Sequence, residues 1–257
     1  MTSAPRIELI GVEGLPLVAP GDDVADLIVA GLDRVALRPR ADDIVVVAQK
    51  IISKAENRFV DLAAIDPSDR ARKIAAAVDK DPRLVEVILA ESKRVVRQAR
   101  NLLITEHRRG YVMANAGIDQ SNIGPADGSE RVLLLPHDPD QSAEALRRRL
   151  SGHYDCPLGV IINDSFGRAW RRGTVGVALG AAGIPSLLDL RGRADLFGRA
   201  LRVSIVGLAD ELAAAASLLM GQAAEAMPVV LVRGGAWTQQ PLPAGALIRP
   251  APEDLFR

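Results

Sequence analysis

The chain has 257 residues, 48% hydrophobic and 25% charged, a soluble globular composition with room for a substantial core. Its 32 basic and 32 acidic residues balance and aromatics make up only 3%, which argues against nucleic-acid binding and against an electrostatic membrane surface. The single cysteine, Cys156, excludes an internal disulfide and suits a reducing compartment.

The opening "MTSAPRIELIGVEGLPLV" has neither the basic start nor the continuous apolar run of a signal peptide, and no segment reaches the roughly 18 apolar residues of a membrane span. A cytoplasmic protein is therefore expected. "PRIELIGV" alternates like a first strand, and "PGDDVADLIVAGLDR" then reads as a helix with an aspartate at its N-cap. "DDIVVVAQKIISKAE" contains Ile44 to Val47, four successive β-formers suited to a strand buried on both faces. Helices follow at "SDRARKIAAAVDK" and "PRLVEVILAESKRVV", the second opened by Pro82. "NLLITE", "GYVMAN", "RVLLLP" and "PLGVIIND" read as strands, with a helix at "DQSAEALRRRLSG" before the last of them. "ADELAAAASLLMG" is a helix ended by Gly221, and "PVVLVRGG" is a closing buried strand. The order is mixed without strict alternation, so the expected class is α+β with mixed sheets, and no repeat or linker divides it.

Four stretches carry possible chemistry. Only five lysines occur (Lys50, Lys54, Lys73, Lys80, Lys93), and two lie in "QKIISK" where the most apolar strand ends. They either meet a phosphate as point charges or simply reach solvent from a sheet edge. "NAGIDQSNIG" (115–124) and "INDSFGRAWRRG" (162–173) each follow an apolar run with an acid, a hydroxyl and glycine. Asp119 and Asp164 could together hold a hard divalent cation, with Arg168, Arg171 and Arg172 near an anionic substrate. Each acid alone reads equally as a turn residue bonding its own backbone. "MGQAAEAMP" is either a loop around a base or phosphate or a plain helix exit. His107, His137 and His153 show no metal-ligand spacing, and neither a Walker loop nor a G-x-G-x-x-G is present.

The blocks "GLPLVAPGDDVADLI", "DDIVVVAQKIISKAENR", "LITEHRRGYVMANAGIDQSNIG", "LLPHDPDQSAEALRRRL", "INDSFGRAWRRG" and "VGLADELAAAASLLMG" occur in this order. Together they resemble the coenzyme F420:L-glutamate ligase family, from about residue 7 to the C-terminus. The resemblance implies a GTP-dependent ligase that adds γ-linked L-glutamate to the F420 precursor F420-0 through an acyl phosphate. It also implies an intertwined homodimer and two sites for Mg²⁺ or Mn²⁺, with K⁺ as an optional further cation. Asp119, Asp164, Ser165 and Gln222 correspond to metal positions. Leu15, Pro16, Leu17, Val18, Gln49, Lys54, Asn122, Gly221 and Gln222 correspond to nucleotide positions, and Lys54, Asp119 and Asp164 to catalytic ones. Two departures stand out: Gln49 replaces a frequent serine, and Thr174-Val175-Gly176 replaces the usual Q-T-D. With the chain ending at "EDLFR", a single domain spanning 1–257 is expected, without the nitroreductase-like extension of some relatives. Two rival expectations follow from the departures: a nucleotide- or cofactor-binding homologue without ligase activity, or a ligase for another carboxylate acceptor.

Overall fold

A computed structural model describes residues 4–124, 130–235 and 237–255. In chain order the elements are β1 (Glu8–Gly11), α1 (Val24–Arg34), β2 (Ile44–Ala48), α2 (Gln49–Ala55), β3 (Phe59–Asp61), α3 (Asp69–Val78) and α4 (Pro82–Ala90). There follow β4 (Ser92–Ala99), β5 (Leu102–His107), β6 (Val112–Ala114), β7 (Arg131–Leu133), α5 (Pro139–Tyr154) and β8 (Gly159–Arg168). The chain closes with β9 (Arg171–Ala182), β10 (Leu188–Asp189), β11 (Ile205–Val206), α6 (Leu208–Met220) and β12 (Val229–Arg233). The class is α+β.

The central sheet has the order β1-β12-β2-β8-β9, and within it only β2 and β8 run parallel. Its faces follow the two-residue period of a strand. Val45, Val47, Val160, Ile162 and Leu231 pack with α1 and α5, whereas Ile44, Val46, Ile161, Val230 and Val232 pack with α6. Both faces are covered, so the uninterrupted apolar run in β2 has a direct cause. The helices begin where their caps require: Asp23, Asp81 and Asp138 each accept amide hydrogens from the first turn, and Pro follows the last two.

A second core lies beside this sheet. It is built from α3, α4, the pair β3–β7 and the sheet β4-β5-β6, around Leu62, Ala71, Val85, Ile88, Leu103, Ile118 and Val132. Here one expectation fails. The helix expected through Val96 stops at Ala90, and residues 92–99 form β4, paired antiparallel with β5. The side chain of Glu91 is held by Arg58 at 3.1 Å, and Val95 packs into the second core, so tertiary pairing overrides helical continuation. Among the described residues no helix is long and apolar enough to cross a membrane.

Candidate active site

The parallel pairing of β2 and β8 decides where the functional groups meet. Ala48 lies opposite Asn163, so both strands deliver their next residues to the same edge of the sheet. From β2 the chain turns at once into α2, which places Lys50 and Lys54 on a helix and not at a free strand exit. From β8 it does not turn. Asp164 and Ser165 lie inside the strand, paired with Val177 and Gly176 of β9, and the turn comes only at the exposed tip between Arg168 and Arg171. The expectation that the strand ends at Asp164 is therefore corrected. Arg168, Arg171 and Arg172 sit at that exposed tip.

A register shift between Ile162 and Asn163 leaves Leu179 as an extra residue in β9. The carbonyl of Leu179 accepts the Tyr111 hydroxyl at 2.8 Å, so the bulge leaves no orphan acceptor there. Asn163 faces α6, its amide donating to Ser217 Oγ at 3.0 Å. By strand alternation Asp164 faces the opposite side, toward α2, and Ser165 faces the end of α6. Its hydroxyl accordingly donates to Gln222 Oε1 at 2.7 Å.

Asp119 reaches the same edge by another route. After β6, Asn115, Ala116 and Gly117 adopt φ of 52°, 53° and 72°, three successive left-handed residues that curl the chain back. Left-handed backbone at a buried alanine is costly, and the surrounding second core holds it in place. Asp119 then exchanges two backbone hydrogen bonds of 2.9 Å with Leu133, at the end of β7. Its carboxylate meets α2: Gln49 Nε2 donates to Oδ2 at 2.6 Å, and Lys50 Nζ lies 3.1 Å from Oδ1.

The remaining candidates surround this pair. Asn122, itself at φ 57°, donates to the Ala223 carbonyl at 2.9 Å and ties the Asp119 loop to the segment after α6. Gly221 ends α6 at φ 68°, and Gln222 follows it directly. The Leu15–Val18 segment lies near the other end of α2, where Gly21 N donates to the Ala55 carbonyl at 2.9 Å. Leu15 and Val18 pack into the core, and Leu17 is 90% exposed. Gln49 is buried, its amide shared between Asp119 and the Ser53 hydroxyl.

The electrostatics follow from burial. Burial pushes the Asp119 carboxyl above its usual range, and Lys50, Gln49 and Lys54 only partly offset this. Asp164 is pushed up to about 7 by burial and then by the charge of Asp119, against the Ser165 amide and Lys50. Asp164 therefore feels the charge of Asp119, and Lys54 and Asp119 feel one another. Lys54 is held below the usual lysine range by burial and by Lys50, with Asp119 acting the other way. Two carboxyl groups raised chiefly by burial, one of them further by the charge of the other, would be relieved by added positive charge. Asp119, Asp164, Ser165 Oγ and Gln222 Oε1 are hard oxygen donors of the kind that suit Mg²⁺ or Mn²⁺. Among the described residues no three of His, Cys, Asp or Glu are gathered around one point, so water or substrate oxygens would have to complete any metal shell.

The sequence singled out both acids and both lysines as candidates, but not the ion pair of Lys50 with Asp119 or the buried Ser53. A signal was present: Gln49 and Ser53 are four residues apart, neighbours on a helix, yet polar on a face that packs inward.

Fold and site define an α+β protein with an acid–lysine centre at the shared edge of two parallel strands. The family model of F420-0:gamma-glutamyl ligase matches residues 14–234, and the chain belongs to this family. It is 47% identical to a coenzyme F420:L-glutamate ligase of Methanothermobacter thermautotrophicus over 253 residues, 98% of this chain and 99% of that one. The proteins of the same name from Methanopyrus kandleri and Methanocaldococcus jannaschii are 45% and 42% identical, with 96% and 98% of this chain covered and 97% of each of theirs.

Proposed function

We propose that the chain is a GTP-dependent ligase that joins γ-linked L-glutamate to the F420 precursor F420-0, assisted by Mg²⁺ or Mn²⁺. The observation that carries this reading is the convergence of Asp119, Asp164, Lys50 and Lys54 at one sheet edge. A free carboxylate does not condense with an amine in water, so one oxygen of the acceptor must first be made a leaving group. Attack of the acceptor carboxylate on the γ-phosphorus of GTP yields an acyl phosphate and GDP. The glutamate amine then attacks the acyl carbon, expels phosphate and loses its proton. Transfer of a phosphoryl group demands positioning and charge neutralisation more than covalent help.

Asp119 and Asp164, with Ser165 and Gln222, would hold the divalent cations, whose charge supports the phosphates. Lys54 would add a cation from α2, and Asn122, Gly221 and the Leu15–Val18 segment would border the nucleotide. A homodimer is supported by the connection between β10 and β11, where Leu196, Phe197 and Val203 are 97%, 89% and 85% exposed. A sedimentation mass of one chain at micromolar concentration would contradict the dimer. A cytoplasmic location fits a chain with one cysteine.

The deciding assay incubates the protein with GTP, Mn²⁺, L-glutamate and F420-0, and follows product by mass spectrometry. A gain of one glutamyl unit with stoichiometric GDP is expected; GTP bound without product, or GDP released only with another acceptor, defeats the assignment. One observation favours a second reading, binding without ligation. Gly176 stands where the resemblance implies an aspartate, and a Cβ there would lie 2.3 Å from the Ala213 carbonyl oxygen of α6. The same assay separates the two readings.

A further inference from the structure

Both carboxylate oxygens of Asp119 are engaged, but in different ways. Gln49 donates to Oδ2 at 2.6 Å from a side chain buried in α2, and its own Oε1 accepts the hydroxyl of Ser53 at 2.8 Å. Gln49 and Ser53 are 1% and 0% exposed. An ionised carboxylate can only accept, so this amide must present nitrogen to Asp119, and its oxygen then accepts the Ser53 hydroxyl; flipping it would set oxygen against the carboxylate and lose that bond. Lys50, by contrast, meets Oδ1 at 3.1 Å through a flexible stem that is 29% exposed. Its three donors are rotatable and its bond is readily exchanged.

We propose that the Ser53–Gln49 pair is a positioning device that reserves Oδ1 of Asp119 for a divalent cation, while the Lys50 ammonium stands in that cation's place. The proposal rests on the reading that this site takes a metal. Among the described residues no third acid, histidine or cysteine joins the two aspartates, so the aim of each one matters more than in a cage of three or four acids. Groups that orient a ligand without touching the metal typically contribute about 10–100-fold to its affinity. Lys50 does the opposite: it supplies positive charge to the same oxygen and competes with the incoming ion.

The test is Mn²⁺ titration of the full chain without nucleotide, followed by electron paramagnetic resonance, for wild type, Gln49→Met, Ser53→Ala and Lys50→Met. Melting temperatures are measured alongside. Gln49→Met is expected to weaken Mn²⁺ binding by about 10–100-fold, Ser53→Ala to weaken it by a smaller factor, and Lys50→Met to tighten it. Helix packing alone would lower the melting temperature and leave the Mn²⁺ affinity unchanged, and that result in Gln49→Met or Ser53→Ala overturns the positioning role. Ser53→Ala decides the matter if Gln49→Met fails to fold. Weaker binding by Lys50→Met overturns the stand-in role. A wild type that binds no Mn²⁺ removes the metal reading and this proposal with it; wild-type binding shared equally by all variants removes this proposal alone.

Discussion

Asp164→Asn converts the electrostatics of the site into a measurable stability. The folded protein holds this carboxyl at about 7 through burial and the charge of Asp119, against about 3.9 for a free aspartate. A carboxyl raised by folding binds its proton more tightly in the native state. Its contribution is fully present below about pH 4, declines as pH rises, and is lost once pH passes about 7. Three units correspond to about 4 kcal/mol at pH 8, of which about 1.5 kcal/mol is already lost at pH 5. Asparagine keeps an oxygen able to accept the Ser165 amide hydrogen and carries no charge. In chelator-treated buffer the variant should therefore gain about 2–3 kcal/mol relative to wild type between pH 5 and pH 8. For a chain of this size the corresponding melting-temperature difference is about 5–10 °C. Adding Mn²⁺ at about 100 times its dissociation constant should raise wild-type stability by about 2.7 kcal/mol and leave the variant nearly unmoved. Thermal or urea unfolding at both pH values, with and without Mn²⁺, measures all of this. An Asp164→Asn effect of equal size at pH 5 and pH 8, or a full Mn²⁺ response in the variant, refutes the reasoning.

Other perturbations address separate parts of the site. Asp119→Ala should abolish glutamyl transfer while the protein still melts cooperatively; activity within about tenfold of wild type, or about 1.4 kcal/mol, would remove Asp119 from the catalytic machinery. Lys54→Met should weaken GTP binding by about tenfold or more, measured by calorimetry, because a half-buried cation is lost from the phosphate side; unchanged affinity contradicts that role. Gly176→Asp should cost about 2–4 kcal/mol in urea unfolding, since a Cβ there would lie 2.2 Å from Ser217 Oγ and 2.3 Å from the Ala213 carbonyl oxygen. Wild-type stability in that variant would show that α6 yields to the substitution.

Local grammar made much of this protein legible. Asp23, Asp81 and Asp138 announce helices because a short side-chain oxygen satisfies amides that the first turn leaves free. Ile44–Val47 announces a strand covered on both faces because every alternate residue needs an apolar partner. The acids and lysines of the site stood out as polar groups at the ends of apolar runs. What local grammar could not supply was pairing over long sequence separations. Residues 92–99 carry four charged or amide side chains, and 92–96 read as the tail of a helix until β5 pairs with the segment across two register shifts. Asp164 reads as a turn acid until β9 continues the ladder past it. The meeting of Asp119 with Gln49 and Lys50 depends on the pairing of β3, which follows α2, with β7 and on three left-handed residues that return the chain to β7, while Asp164 arrives through the parallel pairing of β2 with β8. Such contacts join segments about 70 residues apart, and their energy comes from burial that only the assembled cores provide. Residue types, helix caps and apolar periods are local properties of the chain; the end of α4, the length of β8, the perturbed acids, the buried amide and the shared edge exist only once distant strands are side by side.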